Sequence, residues 1–286
     1  MFSSPHNTVA SLSPTRLTSL LLVEERLLEA KYFARRLAKQ NDRDRFGYEL
    51  NAFLAAARSV TFLVQKEMVR VPGFAHWWDG QRRDLSNDSA ARFFLELRNF
   101  SQKEGRVSVV GGSLGRGRWS YRFAGNSERV PASLLHRDVA DCCHEHVGKL
   151  ARVVLSCAEA FPYQSCPRMA LTPEGVVALQ LSLEQVEESL GFPRGWTETG
   201  DPTSRDRRIQ VLREHVDGVD FAAISRQANW KPKAAPPSDV PASTFSEQIL
   251  TSLVRQLEGS ERRVITAELA AELLLGGGSD ASARDS

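Results

Sequence analysis

The sequence predicts a mainly α protein: an antiparallel helical bundle with one small β-hairpin and additional C-terminal helices. Three observations predict it. Apolar residues recur at helical spacing over the first third of the 286-residue chain, the pattern of helices with one buried face. The period drops to two only on either side of one glycine-rich stretch, GGSLGRG at 111–117, the mark of a hairpin. The links between the first helical segments are short or moderate, as between antiparallel neighbours of a bundle.

Taken in order, residues 1–14 are polar with Pro5 and Pro14 and read as a disordered N-terminus. The first helix starts near Thr15 and sets Leu17, Leu20, Leu21, Leu27, Leu28 and Leu37 on one side, with Glu24, Arg35 and Lys39 outside. The charged segment 41–45 reads as a turn. A second helix over Phe46 to Val69 buries Phe46, Leu50, Phe53, Leu54, Ala57, Val60 and Val64, and Pro72-Gly73 ends it. Phe74, Trp77 and Trp78 form an aromatic cluster on a short helix or loop. Asn87 and Asp88 stand where a cap should precede the next helix, from Ala90. The hairpin falls within 106–124, with Val107 and Val109 alternating on one side and Trp119, Tyr121 and Phe123 on the other. Helical spacing returns from Leu134 to Phe161, and again from Thr172-Pro173 through Leu179, Leu183, Val186 and Leu190 to a stop at Gly191. Ile209 to Ile224 is a further helix. The domains expected are a helical domain over 15–170, a helical extension over 171–227, a proline-rich linker over 228–243, and short helices with a disordered tail over 244–286.

Composition narrows the function classes. With 42% hydrophobic and 25% charged residues the chain matches a soluble globular protein. A formal net charge of +2 creates no global field for nucleic acid, so any phosphate site must be a local cluster. The apolar run Leu17 to Val23 is cut off by Glu24 and Glu25, too short to span a bilayer and without a cleavage pattern. No membrane association is expected. The four cysteines, clustered between 142 and 166, form no disulfide framework, which fits a reduced, cytoplasmic setting.

The candidate ligand site lies in AARFFLELRNFSQKEG, at 90–105. Arg98 offers a guanidinium that grips phosphate with two parallel hydrogen bonds. Asn99 can orient a neighbour or a ribose hydroxyl, and Lys103, one turn on from Asn99, shares its face. Arg98 and Lys103 are about 140° apart around the helix, and both are long enough to converge at a groove. A second polar stripe, Asn51, Arg58 and Gln65 at seven-residue spacing, would bring Arg58 near Arg98 if the two helices pack. The competing reading makes all of these the solvated side of amphipathic helices, with Arg98 paired to Glu96 or Glu49.

Other motifs carry less. The glycine loop lacks the spacing and Lys-Ser/Thr ending of a P-loop, and no cofactor is expected. Cys142, His146 and Cys157 share a helix face with zinc-competent donors. Yet apolar neighbours surround them and no CxxC pair exists, so the expectation is no metal. Arg116, Arg118 and Arg122 beside Trp119 and Tyr121 would suit single-stranded nucleic acid if the rings are exposed, and a buried strand face if they are not.

The stretches EAKYFARRL at 29–37, FGYELNAFLAAARSVTFLVQKE at 46–67 and RFFLELRNFSQKEG at 92–105 resemble the HEPN superfamily, most closely a bacterial HEPN-like group of unassigned function. The resemblance covers about the first third of the chain. Active HEPN ribonucleases carry Arg, four to six residues, then His. On that pattern Arg98 takes the arginine position and Asn99 the polar one, while Lys103 stands where histidine belongs. Histidine can take or give a proton near neutral pH. Lysine, with a reference pKa of about 10.4, stays charged and can bind phosphate without acting as a base. The resemblance therefore implies a non-catalytic protein that binds RNA, another phosphate-bearing ligand or a protein partner, and that forms a homodimer. A divergent metal-independent ribonuclease of toxin or defence type, with Arg98, Asn99 and Lys103 catalytic, is the enzymatic alternative. A purely structural interaction module is the third.

Overall fold

The computed structural model describes residues 17–115, 118–125, 128–198 and 204–231. The expected N-terminal segment, most of the proline-rich linker and the last short helices lie outside them. The described residues are mainly helical, with one two-stranded antiparallel sheet.

The bundle begins with α1 (Leu21–Leu37) and α2 (Arg43–Met68). Val23, Leu27, Ala30, Ala34 and Leu37 step along α1 by three and four residues and are buried, the stripe expected of one core-facing side. The chain enters α1 later than Thr15 because residues before it are held elsewhere. Thr18 Oγ1 donates to the Gln164 carbonyl at 2.6 Å and the Leu20 amide to the Ser165 carbonyl at 2.9 Å. α2 starts earlier than Phe46. The Asp42 carboxylate accepts from the Asp44 and Arg45 amides at 2.8 and 3.0 Å, capping orphan donors of the first turn. Charged residues read as a turn are thus the helix's capped start.

The aromatic cluster sits on a full helix, α3 (Phe74–Asn87), which begins after Gly73 in the left-handed region at φ 82°. Phe74 and Trp78 are buried on the same side, with ring centroids 5.9 Å apart. Asp88 then caps α4 (Ser89–Lys103) by accepting from the Ala91 amide at 2.9 Å, and Lys149 pairs with its other oxygen at 2.5 Å.

The hairpin pairs β1 (Val109–Gly115) with β2 (Arg118–Phe123), Val109 facing Phe123 and Gly111 facing Tyr121. Gly111 is required by packing. A Cβ there would lie 2.5 Å from the Tyr121 ring, which itself stacks on Phe46 at 3.9 Å.

α5 (Val139–Ala160) is the central helix, capped by Asp138 and burying Cys142, Cys143, His146, Val147, Leu150, Val154 and Cys157. It starts after Leu134 because 131–137 form turns, with His136 at φ 64°. Three short helices follow: α6 (Pro162–Ser165), α7 (Pro167–Ala170) and α8 (Pro173–Ala178). The single helix expected from Thr172 to Gly191 is two, α8 and α9 (Leu183–Ser189), broken where Gln180 turns to φ 51°. The helix expected over Ile209 to Ile224 likewise divides into α10 (Arg205–Glu214) and α11 (Phe221–Ala228).

Two cores result. The first gathers α1 to α5, the hairpin and Ile224 of α11. The second is smaller and joins Leu171, Val176, Leu183, Val186, Ile209 and Leu212. α11 returns to the first core beside Gly148, where a Cβ would meet the Gln227 carbonyl at 3.1 Å.

Candidate functional site

α2 and α4 pack in the first core through Phe53 and Phe94, whose rings meet edge to face at 5.9 Å. That contact sets the polar positions of the two helices beside one another. Arg58 projects from α2. Its Nη1 donates to Thr61 Oγ1 at 2.8 Å, and the Thr61 hydroxyl donates back to the Arg58 carbonyl at 3.1 Å. Loss of water around the Arg58 guanidinium, and then the like charge of Arg98, lower its pKa from the ordinary arginine value. The two guanidiniums therefore sense each other across the helix pair.

Arg98 is half-buried on α4. Its Nη1 donates to Asn99 Oδ1 at 3.3 Å, while its Nε is buried without a hydrogen-bond partner. Neither Arg58 nor Arg98 has a carboxylate partner among the described residues. Glu49 is engaged elsewhere, taking Arg36 at 2.7 Å and Gln40 at 3.2 Å, and Glu96 is exposed and makes no ion pair among the described residues. Asn51, one helical face along from Arg58, is half-buried with Oδ1 enclosed and unpartnered. The arrangement has two positive charges on packed helices, each without a carboxylate partner among the described residues.

Lys103 is exposed in the last turn of α4. No hydrogen bond or ion pair among the described residues ties it to Arg98 or Asn99. The structure thus places Arg58 and Arg98 on packed helices within reach of each other's charge, holds Asn99 on Arg98, and leaves Lys103 exposed, with no ion pair among the described residues. Gln65 is exposed two turns beyond Arg58.

The remaining motifs are packed away. Burial pushes the Cys142 and Cys157 thiols up to about 12 and holds the His146 imidazole down at about 3. The His146 ring stacks on Phe94 at 4.4 Å. Among the described residues no group of three or more His, Cys, Asp or Glu side chains is placed to hold a metal. In the hairpin, Tyr121 is buried against Phe46 and Trp119 is half-buried beside Tyr121, so these rings form a core face and not a stacking platform. Arg116 lies outside the described residues.

Sequence reasoning missed a cavity of about 290 Å³ adjoining Arg58 and lined by residues of α2 to α5. Trp78, Arg82, Arg92 and His146 contribute to it. Arg92 lies six residues before Arg98 in the same stretch. No local pattern distinguishes it, because the cavity exists only once four helices meet.

A mainly helical protein with a small β-hairpin, carrying two arginines on packed helices without a carboxylate partner among the described residues, is the class these features define. The family model described as bacteriophage lambda protein ea47 matches residues 17–148, just under half of the chain, from the approach to α1 into α5. Comparison with curated proteins and with solved structures gives no match. Among the described residues no helix is long and apolar enough to cross a membrane.

Proposed function

We propose that this is a HEPN-like helical protein that binds RNA through the backbone phosphates, at Arg58 and Arg98, with Asn99 hydrogen-bonded to Arg98. The observation that carries the reading is a pair of arginines on packed helices with no acid among the described residues to neutralise them. Like charges brought together on a fold are costly unless something negative completes the site. A phosphate can accept from the Nη donors of Arg98 and from Arg58, charge-assisted bonds that are stronger than neutral ones. Asn99, already on Arg98, fixes the fork in orientation. Lys103 adds a long-range contact at the rim of the same helix.

The chemistry supports binding over cleavage. A phosphoryl-transfer site without metal needs one group to remove the 2′-hydroxyl proton and one to protonate the leaving oxygen. Arginine and a solvated lysine are both cations at neutral pH. They stabilise negative charge but do not accept a proton. A cytoplasmic protein acting as a homodimer belongs to the same proposal.

The test is fluorescence anisotropy with labelled single-stranded RNA and the full chain, beside gel analysis of the same RNA. Binding without cleavage, weakened about tenfold by Arg98→Ala with the fold retained, is expected. Cleavage lost in Arg98→Ala would replace this reading with the ribonuclease one. No binding at high protein concentration would leave a structural module.

A further inference from the structure

The cavity beside Arg58 has a chemistry of its own. Leu54, Ala57, Leu85, Phe94, Leu95 and Leu150 give it an apolar body. Arg58, Arg82 and Arg92 also line it, with the hydroxyls of Thr61 and Ser86. No aspartate or glutamate contributes to the lining. Arg82 is paired with the exposed Asp79 at 3.0 Å. Arg92 has only the Ser86 carbonyl, at 3.2 Å, and Arg58 only Thr61, so two of the three cations are not neutralised by an acid among the described residues.

Two further lining residues carry unsatisfied ring nitrogens. Trp78 and His146 are each 8% exposed. The indole Nε1 and the imidazole Nδ1 are buried, and neither has a hydrogen-bond partner. An indole N–H can only donate, and a neutral imidazole offers one donor and one acceptor. Buried polar groups in folded proteins are nearly always satisfied, by protein, water or ligand. Here two residues with such nitrogens lie among those that line one cavity, together with Arg58 and Arg92.

We propose that this cavity binds a small amphipathic carboxylic acid, its hydrocarbon chain among the leucines and Phe94 and its carboxylate held by Arg58 and Arg92. The volume lies at the small end of the range for ligand pockets, about 300–1,000 Å³, which suits a chain of modest length and excludes a long acyl tail. The planar guanidinium fork matches a carboxylate with two parallel hydrogen bonds. The site shares Arg58 with the proposed RNA site but stands without it, since its apolar body and Arg92 play no part in that reading.

Isothermal titration calorimetry of octanoate into the full chain, with 1-octanol as the uncharged control, tests the proposal. Octanoate should bind at one site per chain, with 1-octanol at least tenfold weaker. Arg92→Ala should weaken octanoate about tenfold. Leu95→Trp, which fills the cavity from a position 41% exposed, should abolish octanoate binding with the circular dichroism spectrum intact and RNA affinity unchanged. Absence of octanoate binding overturns the proposal, as does equal affinity for octanoate and octanol, or octanoate binding that survives both Arg92→Ala and Leu95→Trp. Because Leu95→Trp leaves the RNA arm running, failure here is separable from failure of the RNA reading.

Discussion

Two arginine settings in this molecule differ in what surrounds the guanidinium. Arg208, in the second core, is 13% exposed at its side chain and reaches Glu184 at 2.8 Å, Glu198 at 2.8 Å, Glu187 at 3.5 Å and the Thr197 hydroxyl at 2.8 Å. Glu187 beneath it is fully buried and also accepts from the Gly195 and Thr197 amides at 2.6 and 2.9 Å and from the Thr197 hydroxyl. Burial opposes ionisation of Glu187, but these donors and Arg208 outweigh it and hold its carboxyl below the ordinary range. Arg58 and Arg98, on helices of the first core, have no carboxylate partner among the described residues. A structural arginine saturates its donors within the protein. A ligand-binding arginine leaves them open.

The sharpest way to break that comparison is to delete an arginine from each setting. Arg208→Ala leaves a buried carboxylate without its cation, an uncompensated charge worth about 3–5 kcal/mol. Urea unfolding should show a loss of that size, concentrated in the second core. Arg98→Ala removes a cation that stabilises nothing internally, and should change stability by no more than about 1 kcal/mol. Equal losses in the two variants would erase the distinction.

Acid should separate the same regions in a different order. Hydrogen bonds from Ser182 and Arg208 hold the Glu184 carboxyl at about 2, below its ordinary value of 4.5. A depressed carboxyl contributes stability that is complete above the unfolded value and lost as pH falls through the folded one. The second core should therefore weaken between about pH 4.5 and 2, by an amount of order 2 kcal/mol after screening at this part-exposed pair. Burial, aided by Lys149, holds His146 at about 3 against an ordinary 6.5. The unfolded chain then binds a proton that the folded one refuses, so the first core loses stability as pH drops from about 6.5 toward 3. Hydrogen exchange resolved by segment in urea, at several pH values across that range, should find the bundle declining first, and His146→Phe should remove that early decline.

The smallest effect expected is that of Lys103. As a solvated cation it should contribute a single phosphate contact, so Lys103→Ala should weaken RNA binding about two- to threefold and flatten the salt dependence by about 0.7, the value for one contact on single-stranded nucleic acid. A loss as large as that of Arg98→Ala would place Lys103 inside the site.

Much of the fold was legible because its signals are local. The stripes on α2 and α4, the Asp88 cap, the hairpin and the stop at Gly191 follow from spacing and turn chemistry, whereas on α1 Glu24, expected outside, is buried and accepts from the Asp220 amide at 2.9 Å. The misreadings share a cause. Asp42 capping its own helix and the left-handed turn at Gln180 are single-residue backbone decisions that apolar periodicity does not record. Docking of α11 beside Gly148 is set by tertiary packing. At the site, the nearness of Arg58 to Arg98 follows from two stripes on helices that pack. The unpartnered nitrogens of Trp78 and His146 do not, because an unsatisfied donor is a property of the assembled interior.

The most direct test of the two-arginine site is the salt dependence of single-stranded RNA binding by the full chain and by Arg58→Ala/Arg98→Ala, between roughly 50 and 200 mM salt. The double variant should bind about a hundredfold more weakly, with a log–log slope smaller by about 1.4, two phosphate contacts' worth, and with its unfolding transition preserved. A folded double variant with the affinity and slope of the parent would contradict the assignment of these arginines to a ligand.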